Sequence, residues 1–120
     1  MSSQSAASQC TINRRRIDEI EVLAVSGVVD MLTTSQLEDA IAAAVKDSPR
    51  GVVVDLAAVD FLASAGMGVL VAACDELPAE IQFAVVADGP ATSRPLKLVG
   101  IADVVGLHAT LDEALAALAA

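Results

Sequence analysis

Apolar residues along the chain fall into short runs that suggest strands, separated by segments with helical spacing. Residues 20–28 (IEVLAVSGV) are apolar at most positions, and residues 52–56 (VVVDL) and 82–87 (QFAVVA) follow the same pattern. Apolar runs without polar alternation are typical of strands that are buried on both faces of a sheet. A weaker strand pattern begins at Thr11, and Val104-Val105 suggests a short edge strand. The runs therefore predict a central sheet of four to five strands.

Between these runs, apolar residues recur every three or four positions, as they do on one face of a helix. The first predicted helix begins at one of the candidate N-caps Thr33, Thr34 and Ser35, and it is broken by the sequence SPRG at residues 48–51. Glu113 follows Thr110 at the spacing of a capping box, so the last helix is predicted to begin there. Two further helices are predicted at about 65–77 and near 93–99.

The alternation of strands and helices predicts an α/β fold in which four helices cover a mixed central sheet. The length of 120 residues suits a single domain. Residues 1–10 are mostly Ser, Gln and Ala and show no periodicity, so we expect a flexible N-terminal tail there. The domain is then predicted to span residues 11–120.

Composition excludes several classes of function. Hydrophobic residues make up 55% of the chain, which is too many for a disordered protein. The net charge is -9, Trp and Tyr are absent, and the only basic cluster is Arg14 to Arg16, so binding to nucleic acid is not expected. Residues 61–74 form the longest low-polarity stretch, shorter than the roughly 18–20 residues that cross a bilayer. We therefore expect a cytoplasmic protein without membrane insertion, whose acidic surface suits a basic protein partner.

The potential metal ligands and thiols are few and scattered. Cys10, Cys74 and the single His108 are far apart in sequence, whereas a zinc site needs three or four protein ligands. The sequence therefore predicts no metal site and no cofactor. Cys74 is expected to be a buried thiol and Cys10 an exposed, reactive one. A disulfide between them stays open, although it would be unusual in a reducing cytosol.

Three carboxylates and two glycines suggest chemistry only weakly. Asp30, Asp55 and Asp60 lie near predicted strand ends, where acid–base or metal sites form, but such residues more often solvate loops and cap helices. Gly66 and Gly68 follow a strand and open a helix, as in some phosphate-binding loops, but the third glycine and the P-loop lysine are missing. We favour a structural role for both glycines, either in close helix packing or in a sharp entry from the loop into the helix.

Ser64 is placed just before the second predicted helix. A serine there can cap the free backbone donors of the first helical turn. The same hydroxyl can also accept a phosphoryl group, and a helix N-terminus tolerates the added negative charge. On these chemical grounds alone, capping is the favoured interpretation.

The segment around Ser64 resembles the characteristic segment of STAS domains, in particular bacterial anti-sigma factor antagonists. In that family a strand that ends in Asp-Leu is followed by a short loop and then by an eight-residue pattern. The pattern consists of Phe, an apolar residue, Asp, Ser, a fifth residue that is Ser or Thr, Gly, an apolar residue and Gly. Asp55-Leu56 and the run from Phe61 to Gly68 match in order and spacing. Residues 27–30 (GVVD) resemble its Gly-Glu-apolar-Asp, and residues 94–101 (RPLKLVGI) resemble its apolar helix ending in Gly. The resemblance covers about residues 12–118.

This resemblance implies a single STAS-like domain that acts in transcription regulation and is not an enzyme. Its partner would be an anti-sigma factor that is a serine kinase of the GHKL type, and docking would release the sigma factor. The kinase would phosphorylate the serine that matches Ser64 and so switch docking off, and a serine phosphatase would reverse the modification. The residues that would contact the partner are Asp30, Phe61, Leu62, Ala63, Ser64, Ala65, Gly66 and Met67.

Three positions depart from the family pattern. Ala63 stands where the family has Asp, Ala65 where it has Ser or Thr, and Val28 where it has Glu. The hydroxyl of Ser64 is kept, whereas the neighbouring carboxylate is lost.

Two other functions stay open. One is an accessory or regulatory STAS subunit of a transporter or signalling complex, which would not be phosphorylated. The other is a small hydrolase or phosphatase that uses Asp55, Asp60 and His108, although the sequence shows no nucleophile–base pair for it.

Overall fold

The computed structural model describes residues 10–119, which form one mixed sheet flanked by helices. The strands are β1 Cys10–Ile17, β2 Ile20–Val29, β3 Gly51–Leu62, β4 Gln82–Val86 and β5 Leu107–His108. The helices are α1 Thr34–Lys46, α2 Ser64–Glu76, α3 Ser93–Leu98, α4 Ala102–Val105 and α5 Leu111–Ala119. Strand order is β1-β2-β3-β4-β5, with β1 antiparallel to β2 and the other pairs parallel. The predicted α/β class and mixed sheet are confirmed, with five helices in the described residues instead of four.

Both faces of the sheet are covered, which explains the unbroken apolar runs. Val52 and Val54 point toward one face, where they pack with α1 to α4, whereas Val53 points to the other and packs with α5. All three are completely buried. We call the first surface the α1–α4 face and the second the α5 face. The α5 helix begins as predicted, because the Thr110 hydroxyl accepts the backbone N–H of Glu113 at 3.1 Å.

Strand β3 is longer than its apolar run suggested. The apolar run predicted a strand over residues 52–56, but the strand continues to Leu62 beside the second half of β2. Register shifts between Ala24 and Ser26 and between Gly27 and Val28 accommodate extra residues in β3. These shifts interrupt the alternation of buried and exposed side chains, so the pattern did not read as a strand.

The edge strand expected at Val104-Val105 is wrong. Residues 102–105 form the short helix α4, and the edge strand is Leu107–His108. Val105 is buried in the core of the α1–α4 face, and Gly106 then turns the chain with φ of 73°. Core packing and this left-handed turn outweigh the strand preference of two valines.

The two thiols differ from expectation. The predicted tail lies outside the described residues except for Cys10, which is the first residue of β1 and is 2% exposed. Burial, and then the charge of Asp30, raise the pKa of the Cys10 thiol, so it is not the reactive group that was expected. Cys74 is only half-buried, and its thiol donates to the carbonyl oxygen of Val104 at 3.2 Å. Both cysteines are free.

The basic cluster on β1 is occupied within the protein. Arg14 Nε lies 2.6 Å from Glu21 Oε1, and Arg16 lies 3.3 Å from Glu21 Oε2. Arg14 also pairs with Asp47 at the end of α1. Two of the three arginines therefore fasten the edge strand to β2 and α1. Within residues 10–119, no helix combines the length and the apolar character needed to span a bilayer.

Candidate partner-binding site

The carboxyl ends of β2 and β3 bring the segments around Asp30 and Ser64 together. Val29 and Leu62 are register partners in the last paired position of these parallel strands. Just beyond them, the backbone N–H of Ala63 donates to the carbonyl oxygen of Val29 at 2.8 Å. The turn that starts at Asp30 and the first residue of α2 therefore leave the sheet side by side.

Asp30 organises the turn between β2 and α1. Its Oδ1 accepts the backbone N–H of Leu32 at 2.9 Å and that of Thr33 at 3.2 Å. The Thr33 hydroxyl donates to the carbonyl oxygen of Val28 and accepts the Asp30 N–H, both at 2.9 Å. Thr33 occupies the predicted N-cap position of α1, but its side chain bonds backward to the turn and makes no side-chain cap. The turn is thus fixed by its own side chains.

This turn exposes two large apolar side chains that sequence reasoning missed. Met31 is 80% exposed and Leu32 is 87% exposed. Each would normally be expected in a core, and adjacent exposed apolar residues often mark contact surfaces. The sequence did contain a signal for this exposure: Met31 and Leu32 form an apolar pair that belongs to no predicted strand or helix and directly precedes a candidate helix cap.

Ser64 is the first residue of α2 and is exposed to solvent. The N-cap position belongs to Ala63, which has an extended backbone (φ -80°, ψ 165°). The favoured interpretation of Ser64 as the cap is therefore wrong. The first turn of this 13-residue helix contains no acidic residue, so its free amides and dipole favour a negative group at Ser64.

Gly66 and Gly68 have different roles. A Cβ atom on Gly66 would lie 2.6 Å from Val29 Cγ1 and 2.8 Å from Leu62 Cδ1, both on buried side chains. Gly66 thus allows the first turn of α2 to lie directly on the ends of β2 and β3. A Cβ on Gly68 would meet nothing within 4 Å, so the predicted packing role is wrong for that residue.

The other residues expected to contact a partner divide into exposed and buried ones. Phe61 is 54% exposed and pairs in register with Val28 on the side of the sheet opposite Leu62. Ala65 is exposed and Ala63 is half-buried. Leu62 and Met67 lie in the core of the α1–α4 face, where they support the surface from below.

The residues of the hydrolase alternative do not form a reactive pair. Asp55 pairs with Val86, and Val86 with His108, so β4 separates the two side chains by two strand spacings, or roughly 9–10 Å. Asp55 accepts the backbone N–H of Ala57 at 3.0 Å, and Asp60 is exposed farther along β3. No group of three or more His, Cys, Asp or Glu side chains suited to a metal ion occurs within residues 10–119.

This chain is similar to known proteins over most of its length. A model of the STAS domain matches residues 11–114. The anti-sigma-F factor antagonist RsfB of Mycobacterium tuberculosis (strain H37Rv) is 37% identical over 111 residues, which are 92% of this chain and 91% of RsfB.

Solved structures show the same fold. An anti-sigma factor antagonist from Mycobacterium paratuberculosis matches with a TM-score of 0.90 and 42% identity, over 100% of both chains. The phosphorylated form of the Bacillus cell fate determinant SpoIIAA matches with a TM-score of 0.65 and 18% identity, over 90% of this chain and 99% of that chain. At that identity the second match shows the fold alone.

Proposed function

The chain belongs to the STAS domain family, and from this premise we propose that it is an anti-sigma factor antagonist controlled at Ser64. It binds an anti-sigma factor that is a serine kinase and thereby releases the sigma factor. The observation that carries the proposal is the exposed hydroxyl at the first residue of α2, beside a turn that exposes two apolar side chains. The similarity to RsfB over 92% of the chain supports it.

The proposed docking surface consists of the exposed residues Met31, Leu32, Phe61, Ser64 and Ala65. The three large apolar side chains supply area that a partner can bury, at about 1.5–3 kcal/mol for each side chain that becomes fully buried. The internal hydrogen bonds of the Asp30 turn hold Met31 and Leu32 in place before binding. A preformed surface loses little conformational entropy on docking, so more of the contact energy remains as affinity.

Phosphorylation of Ser64 opposes docking through charge and desolvation. A phosphoserine adds about 1.5–2 negative charges at neutral pH. The nearest basic residue in sequence is Arg50, so no neighbouring cation along the chain is available to neutralise the phosphate. The helix N-terminus stabilises the phosphate within the domain, while the apolar partner surface would have to desolvate it. The match to the phosphorylated form of SpoIIAA supports the compatibility of this fold with a phosphate.

Ala63 and Ala65 leave a kinase fewer polar groups to recognise beside Ser64 than the family pattern offers. With alanine on both sides, Ser64 is the single hydroxyl at the junction of β3 and α2, and no carboxylate flanks it. The kinase must then recognise the serine through the shape of this junction and the adjoining apolar residues. A phosphatase of serine residues restores the docking form.

The direct test is to incubate the protein with ATP and each purified anti-sigma factor of its own organism, followed by peptide mass spectrometry. We expect a phosphopeptide that contains Ser64, absent in Ser64→Ala. We also expect Ser64→Glu to weaken the complex with the anti-sigma factor at least 10-fold. The control is Ala117→Glu, which adds the same charge at an exposed position of α5 and should leave the affinity unchanged. Equal binding of Ser64→Glu and wild type would contradict the switch, and tight binding without phosphate would indicate a constitutive antagonist.

A further inference from the structure

A groove of about 330 Å³ runs between α1 and α2, along their outer surface. Its floor is apolar, because it is lined by Ile41 and Val45 from α1, by Val69 from α2 and by Leu77 directly after α2. Ile41 is buried and the other three are half-buried. For scale, an apolar cavity of roughly 150 Å³ accepts a benzene molecule. The groove therefore has room for at least two aliphatic side chains.

The walls of the groove are low, and its rim is acidic. Ala42 and Ala72 are exposed lining residues, so a partner backbone can approach both helices closely. Glu38 and Glu76 stand on opposite helices at the rim. The remaining exposed charges of the two helices are Asp39, Asp75 and Lys46, so acidic groups outnumber basic ones four to one. This charge favours a basic occupant.

One ridge of α2 leads from the groove toward Ser64. Ser64, Gly68, Ala72 and Glu76 follow one another at intervals of four residues and form one ridge of α2. Gly68 costs about 1 kcal/mol of helix stability relative to alanine, and open space at its Cβ position shows no packing need for it. A partner that covers Ser64 can therefore pass over Gly68 into the groove.

We propose that the α1–α2 groove receives an amphipathic helix of the protein partner, with its aliphatic side chains on the groove floor and Lys or Arg facing Glu38 and Glu76. The identity of that partner as an anti-sigma factor rests on the proposed function. A helix fits better than an extended segment, because two helices present no free sheet edge for main-chain pairing. The alanine walls also allow the close approach that a third helix needs.

The occupant is tested by selection from a displayed library of helical peptides with randomised surfaces, using the full-length protein as bait. We expect enriched peptides to carry aliphatic residues at helical spacing and Lys or Arg at the flanks. Their affinity should fall at least 10-fold for Ala72→Arg and for Ala42→Arg, because both positions are exposed and line the groove. Failure to enrich any peptide, or enrichment of peptides that bind both variants as tightly as wild type, would overturn the proposal.

The charge requirement is tested with two matched double variants. Glu38→Lys/Glu76→Lys reverses the rim, while Asp103→Lys/Asp112→Lys makes the same change in net charge at exposed positions of α4 and α5. We expect the rim variant to weaken the selected peptides at least 10-fold, more at low salt than at high salt, and the control to change affinity less than 2-fold. Equal effects of the two variants would reject the acidic rim as a recognition element.

A third measurement separates this proposal from the proposed function. If an anti-sigma factor binds wild type and Ala72→Arg equally, the groove proposal fails and the antagonist function stands. If no anti-sigma factor binds wild type but the groove still selects basic helices, the antagonist function fails and the groove serves another partner.

Discussion

The two ends of β2 differ in which side chains are buried: a charged side chain is buried near the amino end, whereas apolar side chains are exposed beyond the carboxyl end. At the amino end, Glu21 is 3% exposed and is neutralised by Arg14 and Arg16. At the carboxyl end, Met31 and Leu32 are exposed, held out by hydrogen bonds within the Asp30 turn. A buried charge with internal partners serves the fold, whereas exposed apolar residues on a fixed turn favour contact with another molecule. The amino end of β2 therefore contributes to the stability of the fold, and the turn at its carboxyl end contributes to binding.

Removing Glu21 should have the largest effect on stability. Glu21→Ala removes the partner of Arg16, leaves Arg14 with Asp47 alone, and opens space beneath the two arginines. Because these arginines remain partly accessible to water, we expect the free energy of unfolding to fall by about 2–3 kcal/mol, below the range for fully buried pairs. Urea denaturation measures the change, with exposed Glu80→Ala as the control. Affinity of the folded variant for the partner should not change, and a loss there would break the contrast.

The two glycines of α2 give a paired test at the carboxyl end. Gly66→Ala places a methyl group against Val29 and Leu62, so we expect the free energy of unfolding to fall by about 2 kcal/mol. Gly68→Ala adds a methyl group in open space and should raise it by about 0.5–1 kcal/mol. Thermal unfolding compares the two variants directly. A similar Tm shift of the same sign in both would show that Gly66 has no special packing role.

The exposed turn should affect binding without affecting stability. Leu32→Ser removes an apolar contact of the proposed docking surface, and we expect partner affinity to fall about 10-fold, or about 1.4 kcal/mol. The free energy of unfolding should stay within about 0.5 kcal/mol of wild type, because the side chain is exposed. Calorimetric titration and urea denaturation provide the two values. Exposed Val104→Ser on α4 is the matched control, and equal loss in both variants would remove the turn from the docking surface.

The smallest expected effect concerns the pH dependence of stability. Burial raises the pKa of the Cys10 thiol in the folded state, so the unfolded chain loses that proton at a lower pH. The contribution of the protonated Cys10 thiol to the free energy of unfolding is therefore fully present below the ordinary thiol pKa. It is lost as pH rises toward the raised pKa of the folded state. We expect stability to decline above about pH 8.5, the ordinary thiol range, and the decline to be smaller in Cys10→Ala than in Cys74→Ala. Urea denaturation at a series of pH values measures this decline in the free energy of unfolding. An identical dependence on pH in the two variants would contradict the assignment of the decline to Cys10.

The sequence by itself determined the layers of the fold. The runs at residues 52–54 and 82–87 indicated strands buried on both faces, because they are too apolar to leave either face in water. Thr110 and Glu113 marked the start of α5, since capping depends on residues that are neighbours in the chain. The segment from Asp55 to Gly68 also carried the resemblance to the family.

Tertiary structure decided where these local preferences give way. The extension of β3 to Leu62 depends on its pairing with β2, and helix α4 depends on the burial of Val105, neither of which a local pattern contains. The exposure of Met31 and Leu32 follows from the hydrogen bonds of Asp30. In the same way, the close approach of Val29 and Leu62 gives Gly66 a packing role and leaves Gly68 without one. Each of these features is set by contacts between segments distant in sequence or by the geometry of a folded turn, so it became visible only when the chain was folded.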